Sequence, residues 1–180
     1  YYHKAINSKI ICADIIQTKK AHIVCDASML PLKKSKFYGV VCINSLYNFN
    51  NPFEIVKEFS NILKKNGKLI LITPFIYPIH DAPYDKYRFT EYGLRALLID
   101  YFEVKEIKTI GSIFNLPAVF FHSLIKGLPL MAPKSLRIIA RVISIALIPF
   151  YAIAQIISLL DFIDRSRRWP TYYFVLATKK

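Results

Sequence analysis

The sequence predicts an α/β fold, an open and mostly parallel sheet with an apolar helical insertion before its last strand. Two observations carry the sheet. Four short apolar runs, at residues 9–13, 23–25, 39–43 and 68–72, are each followed by a polar residue, namely Asp14, Asp26, Asn44 and Thr73. Between the third and fourth runs lies an amphipathic helix with its own start and stop signals. The insertion is announced by 19 consecutive uncharged residues, Val142 to Leu160, ahead of a final strand-like segment.

Each run has the length and β-branched content of a strand buried on both faces. In an open parallel sheet the ligand crevice lies outside the carboxyl ends of the strands, where these four polar residues would collect. Turn-forming Asp and Asn at strand ends account for one or two of them. For the helix, Asn51 is the expected N-cap, Pro52 suits the first helical position, Ile55, Phe59, Ile62 and Leu63 form the apolar face, and Asn66-Gly67 is the expected stop. Thr90 is expected to cap a second helix that buries Leu94, Leu97 and Leu98. Residues 101–110 alternate from Phe102, as a half-exposed strand does, and residues 172–178 read as another strand.

Charge and hydropathy pull in opposite directions. The 180 residues carry 25 Lys+Arg against 12 Asp+Glu, a formal +13, yet 54% are apolar. A disordered basic tail is excluded by that apolar content. Residues 1–112 hold 16 cations and 10 anions, whereas residues 113–180 hold 9 and 2, so the excess concentrates in the apolar part. Basic and apolar together point to an anionic membrane surface rather than to nucleic acid, for which no base-reading mixture of Arg with Asn and Gln is present. Cys12, Cys25 and Cys42 are isolated in apolar runs and read as small buried hydrophobes of a reducing compartment.

The ordered segments resemble the class I S-adenosylmethionine-dependent methyltransferases, in particular a small-molecule subgroup. Ile11-Cys12-Ala13-Asp14-Ile15 resembles that family's second strand with its terminal acid, and Val24-Cys25-Asp26-Ala27-Ser28-Met29-Leu30-Pro31 its D-A-x-x-L-P segment. Phe37 to Val41 resembles F-D-x-V with Tyr38 in place of the acid, and Ile62 to Leu69 resembles V-L-K-P-G-G-x-L. Pro74-Phe75, His80, Pro83, Asp85 and Arg88-Phe89-Thr90 resemble a subgroup pattern in the loop after the fifth strand. The resemblance implies a Rossmann-like sheet of order 3-2-1-4-5-7-6 with an antiparallel seventh strand. Residues 1–112 would then be the core from the second to the sixth strand, 113–168 the insertion, and 169–180 the last strand. No G-x-G pattern precedes Asp14, so the first strand is expected to be missing and the N-terminus truncated.

The resemblance also implies site residues. Asp14 would accept from the ribose hydroxyls of S-adenosylmethionine, with Ile15 beside it. Asp26 and Ala27 would serve the adenine, Leu30 or Ile15 would flank the base, and Asn44 and Ser45 would line the floor near the sulfonium. Methyl transfer is an in-line displacement that depends mainly on positioning. Where the acceptor needs a base, His80 is the candidate, with Asp85 orienting it and Arg88 holding an anionic substrate; the competing reading is a stiff loop in which Arg88 pairs Asp85. No metal site is expected.

In the insertion, Pro149 and Gln155 interrupt the uncharged run, and Arg137 and Arg141 before it are matched by Arg165, Arg167 and Arg168 after it. Cations at both flanks suit a hairpin or interfacial helix with both ends on one side, and the competing reading is a hairpin buried against the sheet or in a dimer. The expected function is S-adenosylmethionine-dependent methyl transfer to a small or lipid-linked acceptor. The expected location is cytoplasmic, peripheral or monotopic on the inner membrane face. A non-catalytic module derived from the same fold is the alternative, and a nicotinamide-dependent dehydrogenase fragment is disfavoured by the antiparallel final pair.

Overall fold

The computed structural model describes residues 10–180. The described residues start with two short parallel strands, β1 (Ala13–Asp14) and β2 (Ile23–Val24). The first apolar run is therefore strand only at its end, with Asp14 inside the pairing; residue 9 lies outside the described residues. A four-stranded sheet follows from β3 (Phe37–Ile43), β4 (Leu63–Pro74), β5 (Phe102–Ile110) and β6 (Tyr172–Lys179), in the order β3-β4-β6-β5. β3 and β4 are parallel, while β6 runs antiparallel to both its neighbours. This is the 4-5-7-6 part of the expected order. The β1–β2 pair is hydrogen-bonded separately from it.

Helix α1 (Pro52–Ile62) joins β3 to β4. The Asn51 side chain accepts from the Phe53 and Glu54 amides and Pro52 opens the first turn, as the sequence indicates. The helix ends earlier than expected. Leu63 is already extended and opposes Phe37, because pairing with β3 captures it before Asn66-Gly67. Residues 64–67 become a bulge in β4 instead, with Asn66 at φ 64°. Helix α2 (Glu91–Leu98) starts at Thr90, whose hydroxyl accepts from Gly93 N at 3.1 Å, and buries Leu94, Leu97 and Leu98. These leucines pack with Ile55, Val56 and Phe59 of α1 against Leu69, Leu71 and Val175 of the sheet, forming one core. Cys42 joins that core; Cys12 and Cys25, expected to be buried, are only half-buried.

Between β5 and β6 come α3 (Leu116–Met131), α4 (Arg137–Ala146) and α5 (Ile148–Ser158). The 19-residue uncharged run is split at Leu147, since Pro149 stands in the first turn of α5 and offers no amide to continue the ladder. The insertion leaves and re-enters the sheet at one point. Thr171 N and Oγ1 both donate to Ile110 O, at 3.0 and 2.8 Å, and Phe75 N donates to Thr171 O at 2.8 Å.

At that junction Gly111 has φ +72°, and a Cβ there would collide with the Thr171 side chain. Gly111→Ala therefore combines a disfavoured backbone region with a steric clash. It should destabilise the chain by roughly 1–3 kcal/mol in thermal or urea unfolding, and an unchanged midpoint would contradict this account of the junction.

Candidate active site

The carboxyl ends of β3 and β4 feed two loops that meet. After β3, Asn44 takes a positive φ of 51° and a short turn follows, which turns Tyr47 into the protein interior. After β4, residues 75–89 fold back over it, with the Lys86 and Tyr87 amides donating to Tyr47 O at 3.0 and 3.2 Å. The Tyr47 hydroxyl lies 2.8 Å from His80 Nε2 and 2.8 Å from Asp81 Oδ2. Around the other edge of the imidazole, Nδ1 is 3.1 Å from Pro78 O and 3.3 Å from Asp85 Oδ2. Tyr47 and Tyr77 flank the ring, each with centroids 5.1 Å away.

Asp85 is the anchor of this loop. Its side chain is 1% exposed, accepts from His80 N at 3.2 Å and is held by both terminal nitrogens of Arg88. The Arg88 hydrogen bonds, ahead of the other contributions, keep the Asp85 carboxyl below its ordinary range despite burial. Arg88 also donates to Tyr87 O, Tyr77 O and Pro78 O, so the guanidinium is used within the loop. Burial, reinforced by the neighbouring Asp81, pushes the Tyr47 phenol up and keeps it protonated at neutral pH. The Tyr47 hydrogen bond in turn lowers Asp81.

This set has a definite proton logic. Nδ1 faces two acceptors, which assigns it a proton. The single phenolic proton of Tyr47 has two acceptors, His80 Nε2 and Asp81. When it points to Asp81, the phenolic oxygen is available to accept from a protonated Nε2. The imidazole can therefore take up a proton without leaving a buried group unpaired. Asp85 and Arg88 hold the ring in position. Sequence reasoning missed Tyr47 and gave Asp81 no role; the position of Tyr47 four residues beyond a strand end was the available signal.

The cofactor-side residues lie apart from this cluster. Asp14 is exposed and its Oδ1 accepts from Ile16 N at 3.1 Å, with exposed Ile15 next to it. Asp26 caps a short 3-10 turn, its Oδ1 accepting from Ser28 N and Ser28 Oγ, both at 2.8 Å, and these bonds hold its carboxyl low. In both acids one oxygen serves the local turn and Oδ2 has no protein donor among the described residues. Ala27 and Leu30 pack on the core, Asn44 is exposed, and Ser45 Oγ donates to Ile43 O at 3.1 Å. Thr73, the fourth strand-end residue, is fully buried with an unpartnered hydroxyl. Two exposed carboxylates, each with a spare oxygen, at the ends of adjacent parallel strands fit the hydroxyls and amino group of an adenosine.

Residues 6–71 match the model of a family described as a methyltransferase domain. The strand order agrees with that match: the sheet has the fold of the class I S-adenosylmethionine-dependent methyltransferases. Solved structures share the fold at low identity. The 4+2 cyclase SpnF is 17% identical with a TM-score of 0.54, over 89% of this chain and 56% of that one. A methyltransferase candidate from Bacillus halodurans C-125 is 18% identical at 0.54, over 96% and 82%. Phosphoethanolamine N-methyltransferase 2 of Haemonchus contortus, in complex with S-adenosylmethionine, is 12% identical at 0.50, over 86% and 36%. The chain thus spans little more than half of SpnF and about a third of the Haemonchus protein. No curated protein matches it in sequence. Because a cyclase shares this methyltransferase fold, the reaction has to be argued from the site.

Breaking the buried Asp85–Arg88 pair with Asp85→Asn should cost about 2–4 kcal/mol near neutral pH, read by thermal unfolding. The depressed folded pKa fixes the sign of the pH dependence. The advantage of the native chain over Asp85→Asn is full above about pH 4, the ordinary aspartate range, and shrinks as pH falls through the lower folded value. An advantage that stays constant down to pH 2 would contradict the assignment.

Proposed function

We propose that the chain transfers a methyl group from S-adenosylmethionine to a small or lipid-linked acceptor at an anionic membrane surface. One juxtaposition carries this reading: the His80 loop and the root of the apolar insertion share the Thr171 junction at the carboxyl end of the sheet. Asp14 and Asp26 would hold the nucleoside, with Ile15, Ala27 and Leu30 beside it and Asn44 and Ser45 lining the floor. Bound there, the cofactor supplies an electrophilic methyl group. A proton released by the acceptor is taken up by the His80–Tyr47–Asp81 set and ends on His80 Nε2, with that N–H directed at the Tyr47 oxygen. Asp85 and Arg88 position the imidazole, and Tyr77 shields one of its faces from water.

Membrane docking is supported by the way the insertion packs. Two helical stretches, Ile113–Met131 and Lys134–Ile163, are long and apolar enough to cross a membrane, and only 6% and 11% of their most apolar windows are buried. Small residues, Ala118, Ala140, Ser144 and Ala154, are buried, while Leu130, Ile138 and Ile156 are 82%, 75% and 66% exposed. That is an inside-out arrangement, suited to lipid as the surrounding solvent. Polar groups in the run satisfy themselves: Ser144 Oγ donates to Ala140 O, Gln155 Nε2 to the Tyr151 hydroxyl, and Ser158 Oγ to Gln155 O. The two anions of the insertion, Asp161 and Asp164, accept from Ser112 Oγ and Ile113 N at its base. Its seven cations have no carboxylate partner among the described residues, which leaves them for anionic headgroups.

Calorimetry with S-adenosylmethionine tests the cofactor site. The chain should bind it, and Asp14→Ala should weaken binding by about 10-fold or more, the worth of charge-assisted hydrogen bonds. Absent binding, or equal binding by the mutant, would favour the non-catalytic module, a reading that the separate β1–β2 pair itself supports. Flotation with phosphatidylglycerol vesicles tests docking. The chain should float, and Arg137→Glu with Arg141→Glu should reduce partitioning by roughly 10-fold or more at low salt. A chain that stays at the bottom and sediments as a dimer would give the apolar face to a second copy and overturn the membrane reading.

A further inference from the structure

Beside the His80 loop lies a cleft of about 700 Å³ between that loop and α3, lined by Phe75, Ile79, Leu116, Val119 and Phe120. Its volume falls in the range of ligand sites. We propose that this cleft is a tail subsite that holds the aliphatic or isoprenoid chain of a membrane amphiphile while its polar end reaches the His80 cluster. The inference rests on the methyl-transfer reading for the purpose of the site, but its physical basis is separate.

Two features of the cleft select an apolar occupant. Its exposed lining is mostly hydrocarbon and aromatic, and Ile79 and Phe120 on it are 75% and 57% exposed, apolar surface that a bound chain would cover. Most of its polar groups are engaged within the protein. Arg88 is spent on Asp85 and on the Tyr77, Tyr87 and Pro78 carbonyls, and the Lys86 ammonium donates to Asn50 Oδ1. A hydrocarbon chain displaces no hydrogen bond along these walls, and the remaining Lys86 N–H groups stay exposed to solvent.

The geometry gives the occupant a direction. Phe120 belongs to α3, whose neighbours α4 and α5 carry the outward apolar face, so one wall of the cleft is continuous with the docking surface. The opposite wall includes Tyr77 and Asp85, which both contact His80. An amphiphile entering from the bilayer along α3 would therefore arrive polar end first, its polar end toward His80 and its tail against Val119 and Phe120. The contribution of the insertion would then be to form part of the acceptor site as well as to anchor the chain.

The test is photolabelling of the full chain with hexadecanol bearing a diazirine at mid-chain, dispersed in phosphatidylglycerol vesicles, with adducts mapped by peptide mass spectrometry. Adducts on Ile79 and on Leu116–Phe120 are expected, and Val119→Trp, which fills the cleft, should cut them by about 5-fold or more while leaving flotation unchanged. Ile79→Asp, at an exposed loop position, is the second blocking variant should the tryptophan disturb folding. A diazirine-bearing decanol in vesicle-free solution separates this proposal from membrane docking. Cleft adducts that either blocking variant abolishes support the subsite even where flotation fails. Adducts confined to the outer residues of α4 and α5, adducts indifferent to both variants, or no cleft adducts in either format would overturn it.

Discussion

The structure turns on the way β6 enters the sheet. Tyr172–Lys179 is the only described strand paired with both β4 and β5, and Thr171 immediately before it bonds to Ile110 at the end of β5 and to Phe75 at the end of β4. Two segments separated by some sixty residues are thereby closed at one point. Everything between them must leave and return at the carboxyl end of the sheet. This is also the end where the His80 loop folds over Tyr47, so the insertion and the candidate chemistry are neighbours by topology rather than by any contact peculiar to either.

The same closure constrains what the insertion can be. A single span across a bilayer would carry β6 to the far side from its sheet; a hairpin or an interfacial arrangement returns it. Within the insertion, the stacked Phe121 and Phe150 and the paired His122 and Tyr151 join α3 to α5, and the small residues let the helices approach. Large aliphatic side chains are left outside in numbers that water makes costly and lipid does not. The flanking cations Arg137 and Arg141, one helical turn apart, are exposed beside this face.

Much of the fold was legible because its signals are local. Asn51-Pro52 and Thr90 start helices through hydrogen bonds within four residues, and the alternation from Phe102 records one buried and one solvated face. What escaped depended on partners distant in sequence. The end of α1 was misjudged because Leu63 answers to Phe37 across the sheet rather than to Asn66-Gly67 beside it. Tyr47 was missed, since its role depends on His80 and Asp81, more than thirty residues away. Asp14 and Asp26 were legible as strand-end acids, but the turns that occupy one oxygen of each became visible only with the backbone in place. Apolarity of the insertion was plain in composition; that its small side is the inward one was not.

The central claim is that the apolar insertion lies at a membrane with its root, and the site beside it, at the interface. Trp169 is the only tryptophan of the chain, 47% exposed between Arg168 and Pro170, three residues before β6. Its position among Arg165, Arg167 and Arg168 is that of an interfacial aromatic. Quenching of its fluorescence by phosphatidylglycerol vesicles carrying nitroxide-labelled lipids measures its depth without altering the protein. The account predicts strong quenching by labels near the headgroups, weaker quenching by labels near the bilayer centre, and a blue-shifted emission. Emission that vesicles leave unchanged, with no quenching at any label depth, would contradict it.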